Sequence, residues 1–237
     1  PDVTCGIAGE HVTARGSTGV VAVSGEEITL QDVARVNEVA RAVSLGRDHE
    51  LLHDIPQEYK VDQQGGISDP VGMTGTRLEV EMYLVTAQST AAQNLRKSVQ
   101  RAGYKVADVV LEPLAASYAV LTDDEKELGV ALVEVGGSST GVAIFHEGKI
   151  RHLGSLKFAG GHVTSDLVQG LSVTQSDAER LKERHGAAYT PLVDAGEMVT
   201  LPSTPGQGAR SASRELVAHI IHQRVDEIFQ LVGREFE

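Results

Sequence analysis

Tryptophan is absent from this 237-residue sequence, and aromatic residues make up only 4% of it. Its core must therefore rest on Val, Leu, Ile and Ala. The single cysteine, Cys5, excludes an internal disulfide and fits a reducing compartment. No apolar run approaches the ~18 residues of a membrane-crossing helix, and no signal-peptide pattern is present. Basic residues are in deficit, with 21 Lys and Arg against 33 Asp and Glu and a net charge of -12. That balance argues against a general binder of nucleic acid or of acidic membranes, both polyanionic, while leaving room for a local nucleotide pocket. Neither G-x-S-x-G nor C-x-x-C occurs. His49 and His53 stand four apart without an evident third ligand, so no metal centre is expected.

The length suffices for a sizeable core and for more than one domain. Residues 2–9 read as a strand directly after Pro1, and the chain closes on Phe236 and Glu237 in or just after a helix. Both ends are therefore expected to be cut. Short strands are predicted at 11–14 and 20–23 around a glycine-rich turn at 15–19. A helix is predicted at 29–45, with Thr29 and Asp32 as a capping box and Val33, Val36, Ala40 and Val43 on one face. Residues 50–56 read as a short segment, 58–62 as extended, 65–75 as a long loop and 77–86 as a half-buried alternating strand. Residues 1–88 thus form a small α+β unit.

A helix follows at 89–102, then a strand at 106–111, a helix at 113–121 with Pro113 in its first turn, and a solvated charged link at 122–127. Residues 130–145, V-A-L-V-E-V-G-G-S-S-T-G-V-A-I-F, read as a hairpin with a glycine- and hydroxyl-rich tip. A third strand runs at 149–156. The glycine loop at 158–166 enters a helix ending at Leu171. Another helix spans 176–185, with Ser176 and Glu179 in capping-box spacing. Residues 189–208 read as irregular or as an edge strand. Residues 211–232 read as a long amphipathic helix with Leu216, Ile220, Ile228 and Leu231 inward.

The hairpin tip is either an anion nest of successive N–H groups or an ordinary turn that needs glycine. Glu134 is either a group that orients a metal's waters or a charge at a strand end. Glu112 is either a carboxylate that polarises water or a helix N-terminal charge. Gly160 and Gly161 either pass close to a ligand or form a strand-to-helix turn. Glu179 is explained by the capping box, and Glu179 with Lys182 also makes an i, i+3 pair.

The order of these pieces resembles the nucleotide-binding core of actin-like and Hsp70-like ATPases: Glu112-Pro113-Leu114-Ala115-Ala116, then the hairpin, then Gly160-Gly161, then a helix bearing Glu179 and Lys182. One branch is closer. Ile55-Pro56-Gln57-Glu58-Tyr59, Asp69-Pro70-Val71-Gly72 and Gly72-Met73-Thr74-Gly75-Thr76-Arg77-Leu78 resemble the segment inserted into the first domain of the FtsA family of bacterial cell-division proteins. Ala115-Ala116-Ser117-Tyr118, Glu127-Leu128-Gly129-Val130, Val163-Thr164-Ser165-Asp166, Ser176-Asp177-Ala178-Glu179 and Arg184-His185-Gly186 extend the likeness over nearly the whole chain.

The resemblance implies an α/β fold: a partial actin-like (ribonuclease H-like) ATPase core with an inserted small SHS2-type α+β subdomain. It implies three parts, at 1–88 (the insert), 89–128 (the rest of the first domain) and 129–237 (a truncated second domain). ATP and Mg2+ are the implied cofactors. Gly136, Gly137, Ser138, Ser139 and Thr140 would face the phosphates, Glu134 the metal's waters, and Gly160, Gly161, Glu179 and Lys182 the nucleotide. Glu112 would orient attacking water in at most a weak ATPase. The implied partners are the ring protein FtsZ, further copies in a filament, and later division proteins through the insert. Membrane contact, at the cytoplasmic face of the inner membrane, would come only through a C-terminal tail beyond Glu237. Alternatives are a pilus-assembly scaffold or a sugar kinase of the same superfold. The sequence departs from the family in Glu134, where aspartate is usual, and in Ser138-Ser139-Thr140, where glycine and threonine are usual. The first phosphate loop and the final adenosine loop also fall outside it, so weak ATP binding by these 237 residues alone is expected.

Overall fold

A computed structural model describes residues 1–42, 46–194, 196–202 and 210–236. The chain forms two compact units, one of Pro1–Leu132 with Gly141–Ser155, the other of Val133–Thr140 with Leu156–Glu237.

In the first unit β1 (Asp2–Ile7) pairs in parallel with β6 (Lys105–Leu111). Between them in sequence lies a separate antiparallel sheet of β2 (Val12–Ala22), β5 (Arg77–Gln88), β3 (His49–Val61) and β4 (Gln64–Ile67), in that order. Helix α1 (Leu30–Arg41) packs on this sheet. The first strand, grouped with the insert on sequence grounds, thus pairs with β6 rather than with β2–β5.

Instead of two short strands around a turn, β2 is one strand paired with β5 from Val12 opposite Ala87 to Ala22 opposite Arg77. The glycine read as a turn signal has another cause. A Cβ on Gly19 would lie well inside 3.0 Å of the Val36 carbonyl oxygen, so glycine is what lets α1 approach the sheet. Ser17 Oγ adds a bond to the Ala40 carbonyl at 2.7 Å.

The predicted cap of α1 is present. Thr29 Oγ1 accepts from the Asp32 N–H at 3.3 Å, and Asp32 Oδ2 accepts from the Thr29 N–H at 3.0 Å. Val36 and Ala40 are fully buried, whereas Val43 and Leu45 lie outside the described residues.

The two segments predicted at 50–56 and 58–62 are one strand, β3, with register shifts against β5 at Leu51/His53 and Pro56/Glu58. A proline cannot donate to a ladder, so it sits where the ladder slips. The loop predicted from residue 65 instead starts within β4. The β3–β4 turn is made by Asp62 and Gln63, both left-handed at φ 46 and 77, the conformation of a two-residue primed turn. Asp62 is held there by N–H donors from Thr76 and Arg77 and by the Thr76 hydroxyl.

Next come α2 (Ser89–Arg101), β6 and α3 (Glu112–Val120). The predicted charged link is a helix, α4 (Asp123–Leu128), because Thr122 and Glu125 form a capping box and three acidic residues occupy its first turn. None of its residues is buried.

The strands β7 (Val130–Val135), β8 (Thr140–His146) and β9 (Lys149–Leu156) form a sheet in that order. Within the first unit Leu111, Leu114, Phe145, Ile150 and Leu153 share a cluster with Val85, Leu52, Ile55 and Tyr83 of the inserted sheet. The Gln57 side chain accepts the Ile150 N–H at 2.7 Å, Tyr83 Oη accepts the Leu153 N–H at 3.3 Å, and Glu58 pairs with Lys149.

The second unit holds α5 (Gly160–Leu171), α6 (Gln175–His185), a short 3-10 turn (Thr190–Leu192), the antiparallel pair β10 (Met198–Leu201) and β11 (Arg210–Ser213), and α7 (Arg214–Arg234). Their core includes Leu167, Leu171, Leu181, Val199, Val217 and Ile221. The last helix starts three residues later than predicted, capped by Ser213, because residues 211–213 are drawn into β11. Its buried face runs through Val217, Ile221, Ile228 and Val232; Leu216 is exposed. The predicted stripe was thus partly one residue out of phase. Residues 203–209 of the stretch predicted to be irregular lie outside the described residues. Arg210 donates to the Leu171 and Ser172 carbonyls, and Arg214 to that of His185. The orphan carbonyls ending α5 and α6 thereby gain partners.

Replacing Gln63 by Gly should raise stability by about 0.5–1 kcal/mol, the left-handed penalty less glycine's extra unfolded-state entropy. Thermal unfolding should show a midpoint higher by about 2 °C. A lower midpoint would contradict the turn as described.

Candidate functional site

The candidate site lies in the second unit, where α5 begins against the β7–β8 turn. Helix α5 opens with Ala159 at its N-cap, a residue with no side-chain acceptor. Its first amide protons find partners on the turn instead. The Gly160 N–H donates to the Gly136 carbonyl at 3.0 Å and the Gly161 N–H to the Gly137 carbonyl at 2.7 Å. The turn is closed by the Gly136 N–H on the Ser139 carbonyl at 3.0 Å.

This approach requires missing side chains: a Cβ on Gly161 would stand 2.8 Å from the Gly137 oxygen, and one on Gly136 2.9 Å from the Ser139 oxygen. Thr140 is fully buried, and its hydroxyl donates to the Phe158 carbonyl at 2.7 Å. Gly137 and Ser138 are exposed at the tip, and nothing lies within 4 Å of where a Gly137 side chain would begin. Ser139 is half-buried, as is Glu134 on β7.

A second ring of contacts braces the start of α5. The buried Thr164 hydroxyl donates to the Glu179 carboxylate and lies 3.1 Å from the Gly160 carbonyl. Lys182 Nζ reaches the Gly160 carbonyl at 3.1 Å, Thr164 Oγ1 at 2.9 Å and Glu179 at 2.8 Å. Hydrogen bonds from Lys182, then Thr164, hold the Glu179 carboxyl below the usual carboxylate range.

The cap predicted for α6 is corrected here. Thr174, not Ser176, is the N-cap, accepting the Asp177 N–H at 3.2 Å and donating to Asp177 Oδ2 at 2.8 Å. Glu179 is therefore released from capping. Its i, i+3 pair with Lys182 exists, but the ammonium turns inward onto α5.

Gly136, Gly137, Thr140, Gly160, Gly161, Glu179 and Lys182 are thus brought into one region, with Ser138, Ser139 and Glu134 on the same hairpin. Glu112 belongs to the other unit. There its side chain lies over Gly6, where an added Cβ would meet Glu112 Cγ at 2.7 Å. Thr164 was not singled out, although its place one turn after Gly160 within Val163-Thr164-Ser165-Asp166 was a signal. Asp166 holds Arg224 in a fork at 2.6 and 3.1 Å. His53 accepts the Leu111 N–H at 3.0 Å. Among the described residues no three His, Cys, Asp or Glu side chains group as a metal site, and no helix is long and apolar enough to cross a membrane.

Two family models match the chain. Residues 9–86 match the SHS2 domain inserted in FtsA, and residues 131–235 match the cell division protein FtsA. The chain belongs to the FtsA family. The FtsA of Pseudomonas aeruginosa is 43% identical over 230 residues, spanning 97% of this chain and 55% of that protein. The FtsA of Escherichia coli K12 is 40% identical over 229 residues, covering 97% and 54%. The chain therefore spans about half the length of the curated relatives it matches. Among solved structures, the PilM-PilN type IV pilus biogenesis complex aligns with a TM-score of 0.62 at 15% identity, covering 98% of this chain and 56% of that one. That likeness concerns the fold. The expected class, an α/β actin-like core with an SHS2 insert characteristic of the FtsA family, describes the molecule.

Substituting Gly161 by Ala should cost about 1–3 kcal/mol, because the new methyl overlaps the Gly137 carbonyl. Chemical denaturation should show an earlier midpoint, whereas Gly137→Ala, at an open position, should leave it unchanged. The lowered Glu179 pKa also fixes a sign. Its contribution is present above the unfolded carboxylate value of 4.5 and is lost as pH falls through the lower folded value. Glu179→Gln should flatten the acid limb of a stability–pH curve below about pH 4.5; an unaltered limb would contradict the ion pair.

Proposed function

We propose that this chain is the central part of an ATP-binding cell-division scaffold of the FtsA family. The observation that carries the reading is the glycine seam between the β7–β8 turn and the start of α5, with an open tip at Gly137 and Ser138. The donor set suits phosphate. The tip offers N–H groups and hydroxyls of Ser138 and Ser139, and Lys182 supplies a cation beside Gly160. Gly137, Ser138 and Ser139 would hold the phosphates, with Gly136 and Thr140 fixing the hairpin behind them, and Gly160, Gly161, Glu179 and Lys182 would hold the adjoining part of the nucleotide. Glu134 is a hard oxygen ligand suited to orienting waters of Mg2+. Bound ATP supplies the chemistry of phosphoryl release, and Glu112 would polarise the attacking water as a weak general base.

On this reading the insert occupies residues up to 88, with β1 on the core side. Residues 89–128 complete the first domain and 129–237 begin the second. The whole protein would polymerise, link FtsZ to the cytoplasmic face of the inner membrane, and recruit later division proteins through the insert. Sequence relatives of about 40% identity that are cell-division proteins favour this over a pilus scaffold, for which only the likeness of fold speaks. A sugar kinase needs a catalytic aspartate beside its phosphate loops to deprotonate a hydroxyl, and none stands in the hairpin.

Gly137→Asp in the full-length protein is the test. The position is open, so the variant should fold, while a carboxylate at the tip should weaken ATP binding at least about tenfold through like-charge repulsion. A fluorescent-ATP titration giving wild-type affinity would refute the phosphate assignment. Loss of FtsZ-tail binding is not expected in this variant, and a full-length wild type that fails to bind that tail would refute the adaptor role.

A further inference from the structure

The Glu112-Pro113 turn is shaped from three sides, all within the first unit. Glu112 rests on Gly6 of β1. Pro113 rests on Gly141 of β8, where an added Cβ would lie well inside 3.0 Å of Pro113 Cγ. The third side is the inserted subdomain. His53 of β3 accepts, through Nε2, the N–H of Leu111, the residue capping α3 and immediately preceding Glu112. Gly6 and Ile7 face Val110 and Leu111 across the parallel pair, so the same step of β6 is gripped by both neighbours.

We propose that His53 is a positioning residue through which the inserted subdomain sets the Leu111–Glu112 step and, with it, the direction of the Glu112 carboxylate. The proposal rests on the hydrolytic role given to Glu112 above. The contact is directional, because an imidazole accepts at Nε2 only when that nitrogen carries no proton. A doubly protonated ring would set two N–H groups against each other and release Leu111. Asp108 of β6 and Asp54 of β3 face the ring and favour its charged form, with Asp54 itself paired to Arg41 of α1. Burial outweighs them and holds the imidazole below its usual 6.5. The insert's hold on the turn is therefore in place at neutral pH and lost on acidification.

The test uses the full-length protein with His53→Leu, which removes the acceptor, and His53→Gln, which keeps one. Hydrogen exchange should show the Leu111 amide about tenfold less protected in His53→Leu and largely restored in His53→Gln, as for loss of one hydrogen bond. ATP turnover should follow, with kcat down about fivefold or more in His53→Leu and KM nearly unchanged, since the defect is one of orientation. Should His53→Leu fail to fold, the unmodified protein still decides. Leu111 protection, normalised to other β6 amides, should fall as pH drops below 6.5.

Leu111 exchange indifferent to both substitution and pH would overturn the proposal, as would faster exchange without any change in kcat. Glu112→Gln separates the two layers. If that variant turns over ATP like wild type, the role of Glu112 has failed and the proposal falls with it, whereas the exchange data report on His53 alone.

Discussion

Two carbonyl oxygens, those of Gly136 and Gly137, take the first amide protons of α5, and the second unit's candidate site depends on that contact. A helix start leaves donors without intrahelical partners, commonly answered by a Ser, Thr or Asp side chain. Here the capping position is Ala159, which has nothing to offer. The answer is imported from a hairpin more than twenty residues upstream. Importing it sets backbone against backbone, which forces glycine at 161 and leaves a side chain at 160 little room, while the turn's own closure calls for glycine at 136. Thr140, Thr164 and Lys182 then fix the loop and helix from behind. The site is a helix-capping solution whose acceptors come from another element.

In the first unit the corresponding organiser is β5. Its Leu78, Val80, Met82 and Leu84 build the core beneath α1, while Val85 and Ala87 join clusters with β6, α2 and the β8–β9 strands. A strand buried first on one face and then on both belongs to more than one core. That is why the insert packs as part of the unit rather than as an appendage.

Alternation and capping were legible in the sequence where one residue's chemistry sufficed. Thr29 with Asp32 started α1, the even positions of 78–84 marked a buried face, and the hairpin fell at its tip glycines. The failures share a cause: glycine and proline have two physical uses, and sequence shows only the residue. Gly19 was read for its freedom to turn when it serves helix approach, and residues 50–56 and 58–62 as separate segments when Pro56 marks a slip within one strand. The α6 cap was placed on Ser176 because Glu179 completes a box there. Thr174 with Asp177 satisfies the same rule two residues earlier, and only three-dimensional placement chooses between them. Thr164 escaped notice because its partners, Gly160 and Glu179, come together only once α5 and α6 pack.

Gln57 and Tyr83 bear on how this molecule meets others. β9 is the last strand of its sheet, and a bare strand margin invites foreign chains to extend the ladder. Two of its amides, at Ile150 and Leu153, are already spoken for by side chains of the insert. The insert thus occupies part of that margin with side chains, so that β9 does not end its sheet on a wholly bare ladder.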